Sequence, residues 1–149
     1  MSHTKIGLKN GLTPEIEKQL GEFASLAKTY SYSPYSKFRV GAALLAESGN
    51  VFLGCNVENA SYGGAICAER TAVVKAVSSG EKKYLAIAIT SDQNDFISPC
   101  GFCRQFMVEF GKKLIVLLVT AEGKVKKFTL EELLPLSFGP DNLENRNDL

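Results

Sequence analysis

Apolar residues recur at helical spacing early in the chain: Ile16, Leu20, Phe23, Ala24 and Ala27 form one face of a 3.6-residue helix. Thr13-Pro14-Glu15 opens it, since threonine can cap, proline suits the first helical position and glutamate favours the positive end. The stretch "YSYSPYSKF" (30–38) ends the helix in a loop marked by Pro34 and serines. The pattern then changes. Residues 39–46, "RVGAALLA", and 51–58, "VFLGCNVE", read as two strands of a hairpin joined by a turn at 47–50. "NASYGGA" (59–65) is loop, and a helix over 67–78 ends at Gly80. Further on come a strand at 84–90, a helix at 99–110, strands at 114–120 and 125–128, and a capped helix at 129–134 stopped by Pro135.

The strands "YLAIAIT" and "LIVLLVT" are apolar almost throughout and alternate with helices. Such strands belong in a partly parallel sheet covered on both faces, so the fold class is α/β. The length of 149 residues suits a single domain over 1–149, with a loose N-terminus over 1–12 and a loose tail over 141–149. No internal repeat or low-complexity tract interrupts it.

Charge narrows the partners. Seventeen basic residues face sixteen acidic ones without a block of one sign, so nucleic acid is a poor default partner. No apolar run approaches the roughly 18 residues of a membrane span. The opening "MSHTKIGLKNGL" lacks the apolar core of a signal peptide, which places the protein in the cytoplasm. In a reducing compartment, clustered cysteines point to metal or redox chemistry. The four are Cys55, Cys67, Cys100 and Cys103, and the only histidine is His3. Any metal site must therefore be built from thiolates, with carboxylate or water in support.

Cys100 and Cys103 follow Ser98-Pro99, where serine can cap and proline can open a helix. Three apart, they share one helical face near its positive end, which favours thiolate. C-x-x-C by itself is open to metal binding, redox chemistry or plain packing. Cys67 and Glu69 also stand at a helix start, where both can address one point beyond its end. Taken alone, that segment favours the plainer reading of a buried cysteine and a glutamate suited to the helix dipole. The joint pattern is more specific. Three cysteines at two helix starts with one unligated glutamate make an open zinc site with a place for water, whose pKa zinc lowers. It matches the zinc deaminase signature H-x-E followed by P-C-x-x-C, in which three cysteines are an allowed ligand set. Zinc with three thiolates carries net negative charge, which two helix N-termini and Arg70 can offset. Arg70 is otherwise a surface arginine.

The motifs "SPYSKFRVGAALL", "GCNVENASY", "ICAERTA", "SPCGFCRQ" and "ELLPLSFGP", spread over 32–140, together resemble the short cytidine deaminases of pyrimidine salvage. The resemblance implies a three-layer α/β/α fold with a five-stranded mixed sheet. It implies hydrolysis of cytidine and 2′-deoxycytidine to the uridines with release of ammonia. One zinc per chain would be held by Cys67, Cys100 and Cys103, with Glu69 shuttling protons. Asn56 and Glu58 would bind the ribose hydroxyls; residues two apart on a strand face the same side, which turns Cys55 away as a core thiol. Phe38 would pack on the pyrimidine ring. Ala60, Tyr62 and Phe138 would reach a neighbouring subunit's site, implying a homotetramer with shared active sites. Rival readings are a deaminase of blasticidin S or of cytosine in RNA, a closed structural zinc module that adds Cys55 as fourth ligand, and a redox disulfide between Cys100 and Cys103.

Overall fold

A computed structural model describes residues 4–144 of the chain. Its elements are β1 (Thr4–Lys5), α1 (Pro14–Lys28), β2 (Val40–Ala46), β3 (Asn50–Cys55), α2 (Ala68–Ser78), β4 (Tyr84–Ser91), α3 (Gly101–Val108), β5 (Ile115–Val119), β6 (Val125–Thr129), α4 (Leu130–Leu133) and α5 (Asp141–Glu144), with a 3₁₀ turn at Tyr62–Gly64. They form one six-stranded mixed sheet in the order β1-β3-β2-β4-β5-β6. Only β4 and β5 run parallel, with α3 in the crossover between them.

Alternation along the central strands sorts the core into two halves. Ala42, Leu44, Ile87, Ile89, Val116 and Leu118 pack with α2, α3 and α4. The intervening Ala43, Leu45, Ala86, Ala88, Leu117 and Val119 pack with α1. Both faces are covered, which is why these strands carry no polar stripe. The α/β/α expectation therefore holds, with six strands instead of five. The sixth arises at the N-terminus, where looseness was expected. Thr4 and Lys5 pair with Val51 and Asn50. The Ile6 amide donates to Gly49 O at 2.7 Å, and the Ile6 side chain is buried beside α1. Gly49 has φ +90° and stands where a Cβ would lie 2.2 Å from Ile6 O, so this turn requires glycine. In the expected loose tail, Asp141–Glu144 form the short α5. His3 and residues 145–149 lie outside the described residues. No described helix is long and apolar enough to cross a membrane.

Helix ends follow local chemistry. Thr13 Oγ1 accepts from Ile16 N–H at 3.3 Å to start α1. Thr129 and Glu132 form a reciprocal capping box on α4. Several boundaries shift from the sequence pattern, and two of the shifts bear on the site. Strand β3 stops at Cys55, three residues early, because Val57 leaves β2 and bridges Tyr32 and Ile66 instead. The N-cap of α3 is Cys100 and not Ser98, whose hydroxyl accepts from Arg104.

Gly54 sets the depth at which α2 lies on the sheet. A Cβ there would fall 2.3 Å from Ala68 O and 2.5 Å from Ala72 N, both backbone atoms that cannot swing aside. Gly54→Ala should therefore push α2 off β3 and lower stability by about 1–3 kcal/mol, seen as a Tm loss of about 2–4 °C for each kcal/mol in thermal unfolding. An unchanged Tm would show that α2 does not depend on this approach.

Candidate active site

Cys67 and Cys100 are the N-cap residues of α2 and α3, both with extended backbone, and neither sulfur is spent on a capping hydrogen bond. Each sulfur therefore stands at the positive end of a helix without capping it. Cys103 sits one turn into α3 and is fully buried. The Cys67 and Cys100 sulfurs are 4.0 Å apart, and those of Cys100 and Cys103 3.7 Å. No disulfide joins them, since bonded sulfurs lie about 2.05 Å apart. The distances fit a common metal: thiolates about 2.3 Å from a tetrahedral zinc stand about 3.8 Å from one another. Among the described residues this is the only cluster of three such ligands, with all three sulfurs within 4.8 Å. The donor set is all sulfur, which zinc accepts readily, and it leaves a fourth position open.

Two charged side chains, Glu69 and Arg70, stand beside the sulfurs. Glu69, in the first turn of α2, is 5% exposed, and its Oε2 lies 3.5 Å from Cys103 Sγ as acceptor. Burial pushes its pKa above the ordinary carboxylate value, and the neighbouring Cys67 adds to this. Arg70 Nη2 donates to Cys67 Sγ at 3.7 Å, so the guanidinium does touch the thiol cluster. Its Nε is buried without a hydrogen-bond partner among the described residues. The Cys103 thiol beside it, aided by Arg70 and Cys100, pulls the Cys67 thiol down to about 5 against the opposing effect of burial. Cys103 moves the other way, because it holds the proton of this hydrogen-bonded pair and is buried.

These groups open on a cavity of about 530 Å³, a size suited to a small molecule. It brings Cys67, Glu69, Arg70 and Cys100 together with Asn56, Glu58 and Tyr62. The segment 56–58 reaches it through paired backbone bonds: Tyr32 N–H to Asn56 O at 3.0 Å, Glu58 N–H to Tyr32 O at 2.8 Å, and Val57 N–H to Ile66 O at 2.9 Å. Asn56 is largely engaged already, with Oδ1 accepting from Val40 N–H at 3.0 Å and from Ser31, and Nδ2 donating to Phe38 O at 2.8 Å. One Nδ2 hydrogen is left over. Glu58 accepts from the backbone amides of Tyr35 and Ser36.

Four expected site residues do not line this cavity, Cys103 among them because it is fully buried. Phe38 is half-buried and meets Asn56 only through its carbonyl, while Ala60 and Phe138 lie outside the wall. Phe138 is 59% exposed, with its carbonyl accepting from Gln105 Nε2 at 3.0 Å. Cys55 is half-buried, not core, and its sulfur donates to Tyr30 O at 3.3 Å, apart from the other three. Ile66, Ile97 and Phe102 complete the wall without having stood out in sequence. Ile66 and Ile97 read as ordinary apolar neighbours, and only the 80% exposure of Phe102 marks it.

Residues 14–119 match the family model described as the cytidine and deoxycytidylate deaminase zinc-binding region. The chain is similar to the cytidine deaminase of Sporosarcina psychrophila, 44% identical over 87% of this chain and 95% of that protein. It is 48% identical to a probable cytidine deaminase of Dictyostelium discoideum over 87% of each. Among solved structures, the cytidine deaminase of Burkholderia pseudomallei superposes with a TM-score of 0.80 at 45% identity, covering 85% of this chain and all of that one.

The separation of Cys55 from the cluster gives a direct test. Cys55→Ser should keep the zinc content of the unsubstituted protein and change stability by no more than about 1 kcal/mol. Metal analysis and thermal unfolding measure both. Loss of zinc would restore the closed four-cysteine site.

Proposed function

The chain belongs to the cytidine and deoxycytidylate deaminase family, zinc-dependent enzymes that deaminate cytidine by hydrolysis, and on that premise we infer how its own residues divide the work. Cys67, Cys100 and Cys103 hold the zinc, Glu69 carries the protons, and Arg70 balances the charge of the thiolates. One observation carries this reading: a buried glutamate stands beside three clustered sulfurs, and it lines one cavity together with two of them, those of Cys67 and Cys100.

When bound, zinc supplies a water acidic enough to ionise near neutral pH. The rest falls to the protein. Glu69 takes a proton from the attacking water and delivers it to the ring nitrogen beside the amine-bearing carbon. The second water proton leaves with the amine as ammonia, and the water oxygen becomes the uracil carbonyl. A carboxyl with a pKa raised by burial suits both directions of this transfer. Arg70 and the two helix N-termini lower the cost of gathering three thiolates.

Asn56 and Glu58 recognise the sugar. The spare Nδ2 hydrogen of Asn56 and the spare acceptor capacity of Glu58 together suit one hydroxyl that both accepts and donates. Recognition of one hydroxyl admits 2′-deoxycytidine beside cytidine. Phe38, Ala60, Tyr62 and Phe138 complete the sites of a homotetramer. Tyr62 is 79% exposed on the cavity wall, and Phe138 is exposed without lining its own cavity. The whole chain acts as one catalytic domain in the reducing cytoplasm, where free thiols stay available to metal. The neutral charge disfavours a polynucleotide substrate.

Purified protein should release ammonia as cytidine absorbance falls. Glu69→Gln should keep zinc and Tm while lowering kcat about 10²–10⁴-fold, the loss expected for a proton carrier; near-normal turnover would assign the protons to another group. Light scattering should give four times the mass of one chain. A monomer with full activity would overturn the shared site.

A further inference from the structure

The turn between α1 and β2 converges on Glu58. Lys37 N–H donates to Ser33 O at 3.0 Å and closes it. Lys37 has φ 59°, in the left-handed region, which a residue with a Cβ adopts where its surroundings hold it there. Those surroundings are the carboxylate. Glu58 Oε1 accepts from Tyr35 N–H at 3.0 Å and from Ser36 N–H at 3.1 Å. The Ser36 hydroxyl donates to Glu58 Oε2 and accepts from Phe38 N–H at 3.0 Å. An ionised carboxylate offers about four acceptor positions and cannot donate, so the Ser36 proton points at Glu58 and three positions are filled. The remaining one, on Oε2, belongs to a residue on the wall of the catalytic cavity. The same bonds hold the Glu58 carboxyl below its ordinary pKa, the Ser36 hydroxyl contributing most.

We propose that Ser36 is a positioning residue for substrate binding: its hydroxyl, aimed by the Phe38 amide within the left-handed Lys37 turn, locks the Glu58 carboxylate so that one Oε2 lone pair meets a sugar hydroxyl of the nucleoside. This rests on the reading of Glu58 as the sugar-binding carboxylate. Without that hydroxyl, Oε1 keeps its two amide bonds but Oε2 loses the bond that fixes its direction. Binding of the sugar weakens, and the chemistry at Glu69 and the sulfurs is left as it was. An interaction made equally in ground and transition state appears in KM and not in kcat. A serine that merely closed a turn would alter stability without that split.

The test uses zinc-loaded protein and cytidine. Ser36→Ala should raise KM about tenfold, the loss of one hydrogen bond to a charged group, with kcat within about twofold of wild type. The affinity for uridine, measured by calorimetry, should fall by the same factor. Ser36→Thr keeps the hydroxyl and should restore both values, which separates loss of the bond from disturbance of an exposed turn. In a Glu58→Ala background, Ser36→Ala should add nothing. Unchanged KM in Ser36→Ala beside a raised KM in Glu58→Ala would overturn the role of Ser36 alone. Unchanged KM in Glu58→Ala would overturn the sugar-binding reading beneath it. A fall in kcat that accounts for the whole loss in Ser36→Ala, or an additive double variant, would also overturn the proposal.

Discussion

Two helix N-termini brought to one point are the constraint on which the rest of the structure depends. Cys67 ends the approach to α2 and Cys100 the approach to α3, so two sulfurs stand where two macrodipoles are positive. Thiolates gathered elsewhere would repel one another, and a metal alone would offset only part of that charge. The meeting point follows from sheet geometry. Gly54 lets α2 lie directly on β3, and the parallel β4–β5 pair obliges α3 to start beyond the carboxyl end of β4. In open α/β sheets that end is where ligands bind.

The first turn of α3 is tied down from outside the site. Arg104 Nε donates to Pro99 O at 2.7 Å and Nη1 to Leu133 O at 2.6 Å. One guanidinium thus joins the residue before Cys100 to the end of α4. Gln105 holds the next part of the same C-terminal segment through Phe138 O. The sulfurs therefore rest on helices fixed both to the sheet and to each other, which limits the freedom a metal must remove on binding.

The segment that carries Asn56 and Glu58 is built differently. Asn56 and Glu58 lie past the end of β3, on a segment held by Tyr32 and Ile66 and by side-chain bonds into the 31–38 loop. Helix starts position the sulfurs and Glu69, while turns position Asn56 and Glu58. Loops carry recognition well when a rigid scaffold holds their ends. Here β2 and β3 do so, with Val40 N–H bonded directly to Asn56.

The sequence by itself determined what depends on neighbours in the chain. The period of Ile16, Leu20 and Ala24 specified α1, Thr13 its cap, and the unbroken apolar runs of β4 and β5 a sheet covered twice. The spacing of Cys67, Glu69, Cys100 and Cys103 was enough to name the cluster. Tertiary structure decided what depends on contacts distant along the chain. Asn56 and Glu58 share a cavity through bridges to Tyr32 and Ile66, not through the strand alternation with which their spacing agreed. The sixth strand exists because Ile6 finds Gly49 and the α1 core. Cys100 caps α3 because Arg104 draws Ser98 away. The contact of Arg70 with Cys67, and the burial that raises the Glu69 pKa, required the packed molecule. A local pattern records propensity and period; desolvation and the direction of a side chain appear only when the distant partner is in place.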